Sequence, residues 1–197
     1  MAALFVPELP PSAPRTHGPL VAAFGRLAMR LSGWTFEGNF PDAPKIMIVV
    51  APHTSNWDVP VGLAAKFALR FEVKFVAKHT TFWWPLGPFL KSLGGIPVNR
   101  SQAGDMVGDT VEAYRRADKL MLILTPEGTR KKVPKWKSGF HRIARAANVP
   151  IMLITFDYSR KVIRLGPTFQ PTDDYEADLA AIQSHITPQM ACVPANY

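Results

Sequence analysis

His53 and Asp58 stand with four residues between them in Ala51-Pro52-His53-Thr54-Ser55-Asn56-Trp57-Asp58, directly behind the apolar run Ile46 to Val50. An imidazole titrates near pH 6.5, and a carboxylate bonded to one ring nitrogen fixes the tautomer and makes the other nitrogen a better base. That chemistry suits removing a proton from an alcohol. The run before the pair is rich in β-branched residues and reads as a buried strand, while Pro52 and the polar residues after it stop the strand and start a helix. In a parallel sheet, the carboxyl end of a strand is the ligand end. Residues five apart on one helix point more than a quarter turn away from each other, so His53 must lie in the loop for Asp58 to reach it. A plainer reading competes: Ser55 followed three residues later by Asp58, with Pro60 early in the helix, is also a capping-box-like start.

Further blocks follow in order: Gly94-Gly95-Ile96-Pro97-Val98-Asn99-Arg100, then Leu122-Ile123-Leu124-Thr125-Pro126-Glu127-Gly128-Thr129-Arg130, then Val149 to Phe156. With the His53/Asp58 block, these resemble the H-x4-D, G-x-I-x-V-x-R, P-E-G-T-R and V-P-I blocks of the glycerolipid acyltransferase family, typified by bacterial 1-acylglycerol-3-phosphate (PlsC-like) acyltransferases. The resemblance spans residues 34 to 168. It implies that His53 deprotonates the acceptor hydroxyl and Asp58 orients it, after which the oxygen attacks the thioester of a fatty acyl donor, acyl-CoA or acyl carrier protein, without an acyl-enzyme. It also implies that Arg100, Glu127, Gly128, Thr129 and Arg130 surround the phosphate of a lysophospholipid acceptor such as lysophosphatidic acid. A guanidinium fork matches phosphate geometry, and a glycine lets backbone amides approach an anion. Pro52 replaces an asparagine common before the histidine, and Thr125 a phenylalanine common before P-E-G; both departures bear on which head group fits.

The elements that must position these groups follow from periodicity. Strands at Lys74 to Ala77, Leu120 to Leu124 and from Pro150 alternate with helices ending near Leu69, marked by Met106, Val107, Thr110, Val111 and Tyr114, and starting at Ser138. This alternation predicts one α/β domain with a mostly parallel sheet flanked by helices, over residues 17–197. A chain of 197 residues with 47% hydrophobic content suffices for its core. Residues 1–16 carry Pro7, Pro10, Pro11 and Pro14 and read as a flexible, extended arm. Leu20, Phe24, Leu27 and Leu31 then form the stripe of an amphipathic helix ending near Gly33, with Arg26 and Arg30 off the stripe. Such a stripe packs on its own domain or lies on a bilayer.

The net charge of +8 and pI near 9.8 predict anionic partners without choosing among them. The aromatic stretch Phe82-Trp83-Trp84 reads either as core or as a wall of an acyl-chain or membrane contact. The basic stretch Arg130 to Lys137, interrupted by Pro134, reads as a charged loop. His141 falls on the polar side of its helix and is expected to be exposed. His17, His79 and His185 lack a nearby carboxylate, no metal-ligand spacing occurs, and the expectation is no metal and no cofactor beyond the donor substrate. Nucleophile-elbow, Walker and dinucleotide fingerprints are absent, as are nucleic-acid-binding motifs, so no nucleic-acid partner is expected. Cys192, the only cysteine, sits in a tail far in sequence from every motif and is expected to be inert. With no long apolar span and no secretory signal, the expectation is a cytoplasmic protein, peripheral on the inner membrane face. Two alternatives keep the same residues: a thioesterase using water as acceptor, and a non-catalytic protein that binds anionic membranes.

Overall fold

A computed structural model of the chain describes residues 4–16, 18–98 and 103–197, the side chains of 103–105 excepted. Arg100 and His17 lie outside the described residues. In chain order the elements are α1 (Pro19–Ser32), β1 (Thr35–Gly38), β2 (Lys45–Val50), α2 (Asp58–Leu69), β3 (Lys74–Lys78), α3 (Leu86–Ser92), β4 (Gly95–Val98), α4 (Ala103–Arg116), β5 (Leu120–Leu124), α5 (Gly139–Ala147), β6 (Ile151–Asp157), β7 (Val162–Phe169) and α6 (Tyr175–Gln183). The strands form one seven-stranded sheet in the order β1-β7-β6-β2-β5-β3-β4. The β6/β7 hairpin is antiparallel and the other neighbouring pairs are parallel. The expected single α/β domain with a mostly parallel, mixed sheet is the fold observed.

The central strands are apolar on both faces because helices cover both. Along β2, Ile46, Ile48 and Val50 join one core, and Met47 and Val49 join the other, the alternation a pleated strand requires. Ile154 and Phe156 of β6 continue the first core, beneath α1 and α2; Ile151 and Leu153 continue the second, beneath α4, α5 and α6. Residues 4–16 contain no helix, turn at 11–13, and pack against the domain. Leu9 and Ala13 are buried in the first core, Arg15 bridges Phe71, and the Thr16 amide donates to the Arg70 carbonyl at 3.0 Å.

The stripe on α1 faces away from the domain. Leu20 is 84% and Leu31 80% exposed, and Phe24 and Leu27 are exposed as well, whereas Ala22, Gly25 and Met29 are buried. Gly25 explains the choice of face: a Cβ there would meet the Ala68 backbone nitrogen of α2 at 2.4 Å, so only glycine permits this close helix crossing. No described helix is long and apolar enough to cross a membrane.

Candidate active site

Because β6, β2 and β5 are adjacent and mutually parallel, their carboxyl ends share one edge of the sheet. The loop after β2 carries His53, the loop after β5 carries Glu127 to Arg130, and Tyr158 directly follows β6. Segments more than a hundred residues apart in the chain meet there by topology alone. The loop after β3 opens at the same edge, since β3 runs parallel to β5.

His53 lies in the loop and Asp58 is the first residue of α2, as the spacing required. The His53 Nδ1 stands 2.8 Å from Asp58 Oδ2, a close charge contact bent away from ideal hydrogen-bond alignment. The capping reading is met only in part: Asp58 Oδ2 accepts the Ser55 amide at 3.2 Å, but the Ser55 hydroxyl accepts the Trp57 amide at 3.1 Å, and Trp57, the residue that precedes the helix, makes no side-chain cap bond. One carboxylate therefore both tightens the turn before the helix and stands against the imidazole. Its other oxygen, Oδ1, accepts the Tyr158 hydroxyl at 2.7 Å. The His53 side chain retains 16% exposure while Asp58 keeps 4%. With Nδ1 turned to Asp58, Nε2 is the ring nitrogen available to a substrate proton.

Glu127, grouped by sequence with the phosphate residues, turns inward instead. Its Oε1 accepts the His53 backbone amide at 3.0 Å, tying the β5 loop to the β2 loop. Burial pushes the Glu127 carboxyl above the usual carboxylate range, against the opposing pull of that amide. A carboxylate would repel a phosphate, so a bracing role agrees better with its orientation than an anion contact. Gly128 has φ +65°, a left-handed turn suited to glycine that sends the chain outward. Thr129 and Arg130 are consequently exposed, and Arg130 forms no ion pair among the described residues. Lys131, Lys132 and Lys137 extend this cationic rim, while Lys135 pairs with Glu176 at 2.7 Å. Trp83 and Trp84, 61% and 82% exposed, and the half-buried Phe82 lie in the loop after β3, and the exposed Trp57 sits beside Asp58.

The carboxyl-terminal tail corrects the expectation that Cys192 is remote. The tail folds back over the His53 loop: the Val193 amide donates to Thr54 Oγ1 at 3.1 Å, Asn196 Nδ2 donates to the Thr54 carbonyl at 3.3 Å, and the Cys192 thiol meets the Tyr158 hydroxyl. The Tyr158 amide in turn donates to the Met190 carbonyl at 3.0 Å. Local spacing cannot reveal contacts of this range. Tyr158 had one available signal, its place at the carboxyl end of a strand expected to be parallel to β2. His141 is also corrected: it is buried, with Nε2 2.7 Å from Asp178 Oδ2, because α6 covers the side of α5 that sequence assigned to solvent.

Among the described residues no group of three or more His, Cys, Asp or Glu is arranged to hold a metal. An open recess of about 730 Å³ bounded by Pro11, Arg15, Glu72 and Lys119 lies at the amino ends of β3 and β5, opposite His53. It contains no base or nucleophile placed for group transfer, so the chemistry rather than the size of a cavity locates the site.

A model of the Acyltransferase family matches residues 35–157. Among solved structures, the chain is similar to the 1-acyl-sn-glycerophosphate (LPA) acyltransferase PlsC of Thermotoga maritima, with a TM-score of 0.64 and 18% identity over 85% of this chain and 75% of that one. Comparison with curated proteins gives no match. The likeness in structure concerns the fold, while the family match covers the first two strands, the H-x4-D loop and both later glycine-containing blocks.

Proposed function

Since the chain belongs to the Acyltransferase family, we propose that it moves a fatty acyl group from acyl-CoA or acyl carrier protein to a hydroxyl of a lysophospholipid, with lysophosphatidic acid as the first acceptor to test. The observation that carries this reading is the His53–Asp58 pair, 2.8 Å apart at the strand edge where the Gly128 turn presents Thr129 and Arg130. His53 Nε2 takes the proton of the acceptor hydroxyl as its oxygen attacks the thioester carbonyl. Asp58 stabilises the imidazolium that forms. The tetrahedral adduct then expels the thiolate, which recovers the proton from His53, leaving an ester and a free thiol. Thr129 and Arg130, with Arg100 of the Gly94 to Arg100 block, hold the acceptor phosphate, and a guanidinium suits that task through paired N–H donors.

The acceptor is a membrane lipid, and the exposed faces agree with work at a bilayer. The α1 stripe and the pair Trp83/Trp84 present apolar surface, the cationic rim Arg130 to Lys137 is suited to anionic head groups, and the carboxyl end of α1 lies at the sheet edge that holds His53, where the Thr35 amide meets the Lys161 carbonyl. The protein accordingly binds the cytoplasmic membrane face as a peripheral enzyme.

Purified protein is given acyl-CoA or acyl carrier protein with and without lysophosphatidic acid, thiol release is followed, and the lipid product is identified by mass spectrometry. The expected result is acceptor-dependent thiol release with formation of the diacyl product. His53→Ala should lower kcat/KM by about 10²–10⁴. Full rate in that variant removes His53 as the base, and thiol release indifferent to acceptor makes the enzyme a thioesterase.

A further inference from the structure

We propose that Tyr158 is a positioning residue for the catalytic pair: its hydroxyl holds Asp58 in the one orientation that faces His53, and the carboxyl-terminal tail holds Tyr158. The proposal rests on the reading of His53 as the base and adds the group that aligns its carboxylate.

Asp58 divides its two oxygens between different tasks. Oδ2 meets His53 Nδ1 at 2.8 Å and the Ser55 amide at 3.2 Å, whereas Oδ1 has the Tyr158 hydroxyl at 2.7 Å. Rotation of the carboxylate about its Cβ–Cγ bond would break both sets together, so the phenol fixes the plane in which Oδ2 points at the imidazole. The phenol ring is itself held. Trp34 packs edge-on against it with centroids 4.9 Å apart, the Tyr158 amide donates to Met190 at 3.0 Å, and the Cys192 thiol lies at the hydroxyl. Burial and the neighbouring Asp58 carboxylate both push the Tyr158 phenol up, which keeps it a proton donor through the working range. The hydroxyl therefore donates to Asp58 and is not a rival base. Trp34 and Tyr158 are a hundred or more residues apart in the chain, yet they sit together because β1 and β7 start at the sheet edge where β6 ends.

The titratable groups that face the pair are Tyr158 and Cys192 from the β6 end and the tail, Glu127 from the β5 loop, and Tyr197, which faces Glu127. Removal of the Tyr158 hydroxyl frees the Asp58 carboxylate to turn away from the ring. The imidazolium then loses part of its partner's attraction, so the acidic limb of the rate profile moves to lower pH, and the reacting tautomer of His53 is less populated.

The test is Tyr158→Phe, which keeps the ring against Trp34 and removes only the hydroxyl. Expected are a fall in kcat of about tenfold with KM for donor and acceptor unchanged, an acidic limb at lower pH, and a mixed tautomer signature in the ¹⁵N resonances of His53. The same substitution made in an Asp58→Asn background should change neither the resonances nor the rate further. A Tyr158→Phe variant with native His53 resonances and a native rate profile overturns the proposal. So does an equal effect of the substitution with and without the Asp58 carboxylate. The nitrogen resonances report on the alignment of the ring even if His53→Ala retains full transfer rate, so failure of the acyl-transfer reading and failure of the positioning role give different results.

Discussion

Among the described residues two histidine–aspartate pairs have nearly equal length, His53–Asp58 at 2.8 Å and His141–Asp178 at 2.7 Å, and they differ in whether a substrate can reach them. His53 keeps 16% of its side chain exposed at the carboxyl edge of the parallel strands; His141 keeps 4%, enclosed between α5 and α6 with Phe140 and Tyr175 edge-on to its ring. The carboxylates differ as well. Asp178 is satisfied by the Thr172 amide at 2.7 Å and hydroxyl at 3.1 Å, which makes it part of a local turn, whereas Asp58 accepts the hydroxyl of Tyr158, just past the end of β6. Each imidazole thus has a carboxylate beside one ring nitrogen, and on the proposed reading access to the second nitrogen separates a reagent from a structural pin.

The largest effect expected from this contrast is a separation of rate from stability. His53→Ala should lose about 10²–10⁴ in kcat/KM and change unfolding free energy little, because a partly exposed loop side chain leaves a site open to water. His141→Ala should do the reverse, costing about 2–4 kcal/mol by emptying a buried site and leaving Asp178 without its partner, while the folded fraction turns over at the native rate. Urea denaturation measured beside initial rates distinguishes the two. A His141→Ala enzyme that is stable but slow would break the comparison.

A smaller, pH-dependent effect sharpens it. Burial works to raise the Asp178 carboxyl, but the Thr172 amide, His141 and the Thr172 hydroxyl together hold it below the ordinary value. A depressed folded value means that the carboxylate contributes stability above about pH 4, its ordinary unfolded range. That contribution is lost as pH falls through the folded value. Asp178→Asn should therefore be less stable than the native chain at pH 6, and the difference should be smaller at pH 3, read from urea midpoints at both. Equal differences at the two pH values would show that the ion pair contributes nothing beyond packing.

What sequence made legible follows the same division between local and distant contacts. The strand Ile46 to Val50, the loop placement of His53, the helix from Asp58, the strands at Leu120 and Ile151 and the parallel sheet all arise from periodicity and turn chemistry within about ten residues, and each is present. The short edge strand β1, the antiparallel return strand β7 and the helix α6 were not read, since a four-residue strand carries little pattern and α6 is recognisable mainly by the side chains it buries. The bracing of Asp58 by Tyr158, the tail on Thr54 and the covering of His141 are contacts between residues 100, 139 and 37 positions apart. No spacing rule reaches that far. The bond from the His53 amide to Glu127 was not legible either, because a motif fixes neighbourhood in sequence and not the direction of a side chain.

The same principle, that exposure decides role, gives a test on α1 with the smallest expected effect on the folded chain. An amphipathic stripe ordinarily buries itself, yet here Gly25 and the small residue Ala22 take the domain side and leave Leu20 and Leu31 in water. Replacing both leucines with serine should alter unfolding free energy by no more than about 0.5 kcal/mol, the range for surface positions, because neither packs on the sheet. Each leucine fully withdrawn from water into lipid is nevertheless worth about 1.5–3 kcal/mol, so their loss should markedly weaken sedimentation with anionic phospholipid vesicles. Turnover of a short-chain, water-soluble acceptor should stay native while turnover of acceptor embedded in vesicles falls. Unchanged vesicle binding would move membrane attachment away from α1, leaving Trp83, Trp84 and the cationic loop after β5 as the contact; a large stability loss would show instead that the stripe packs on the protein in solution.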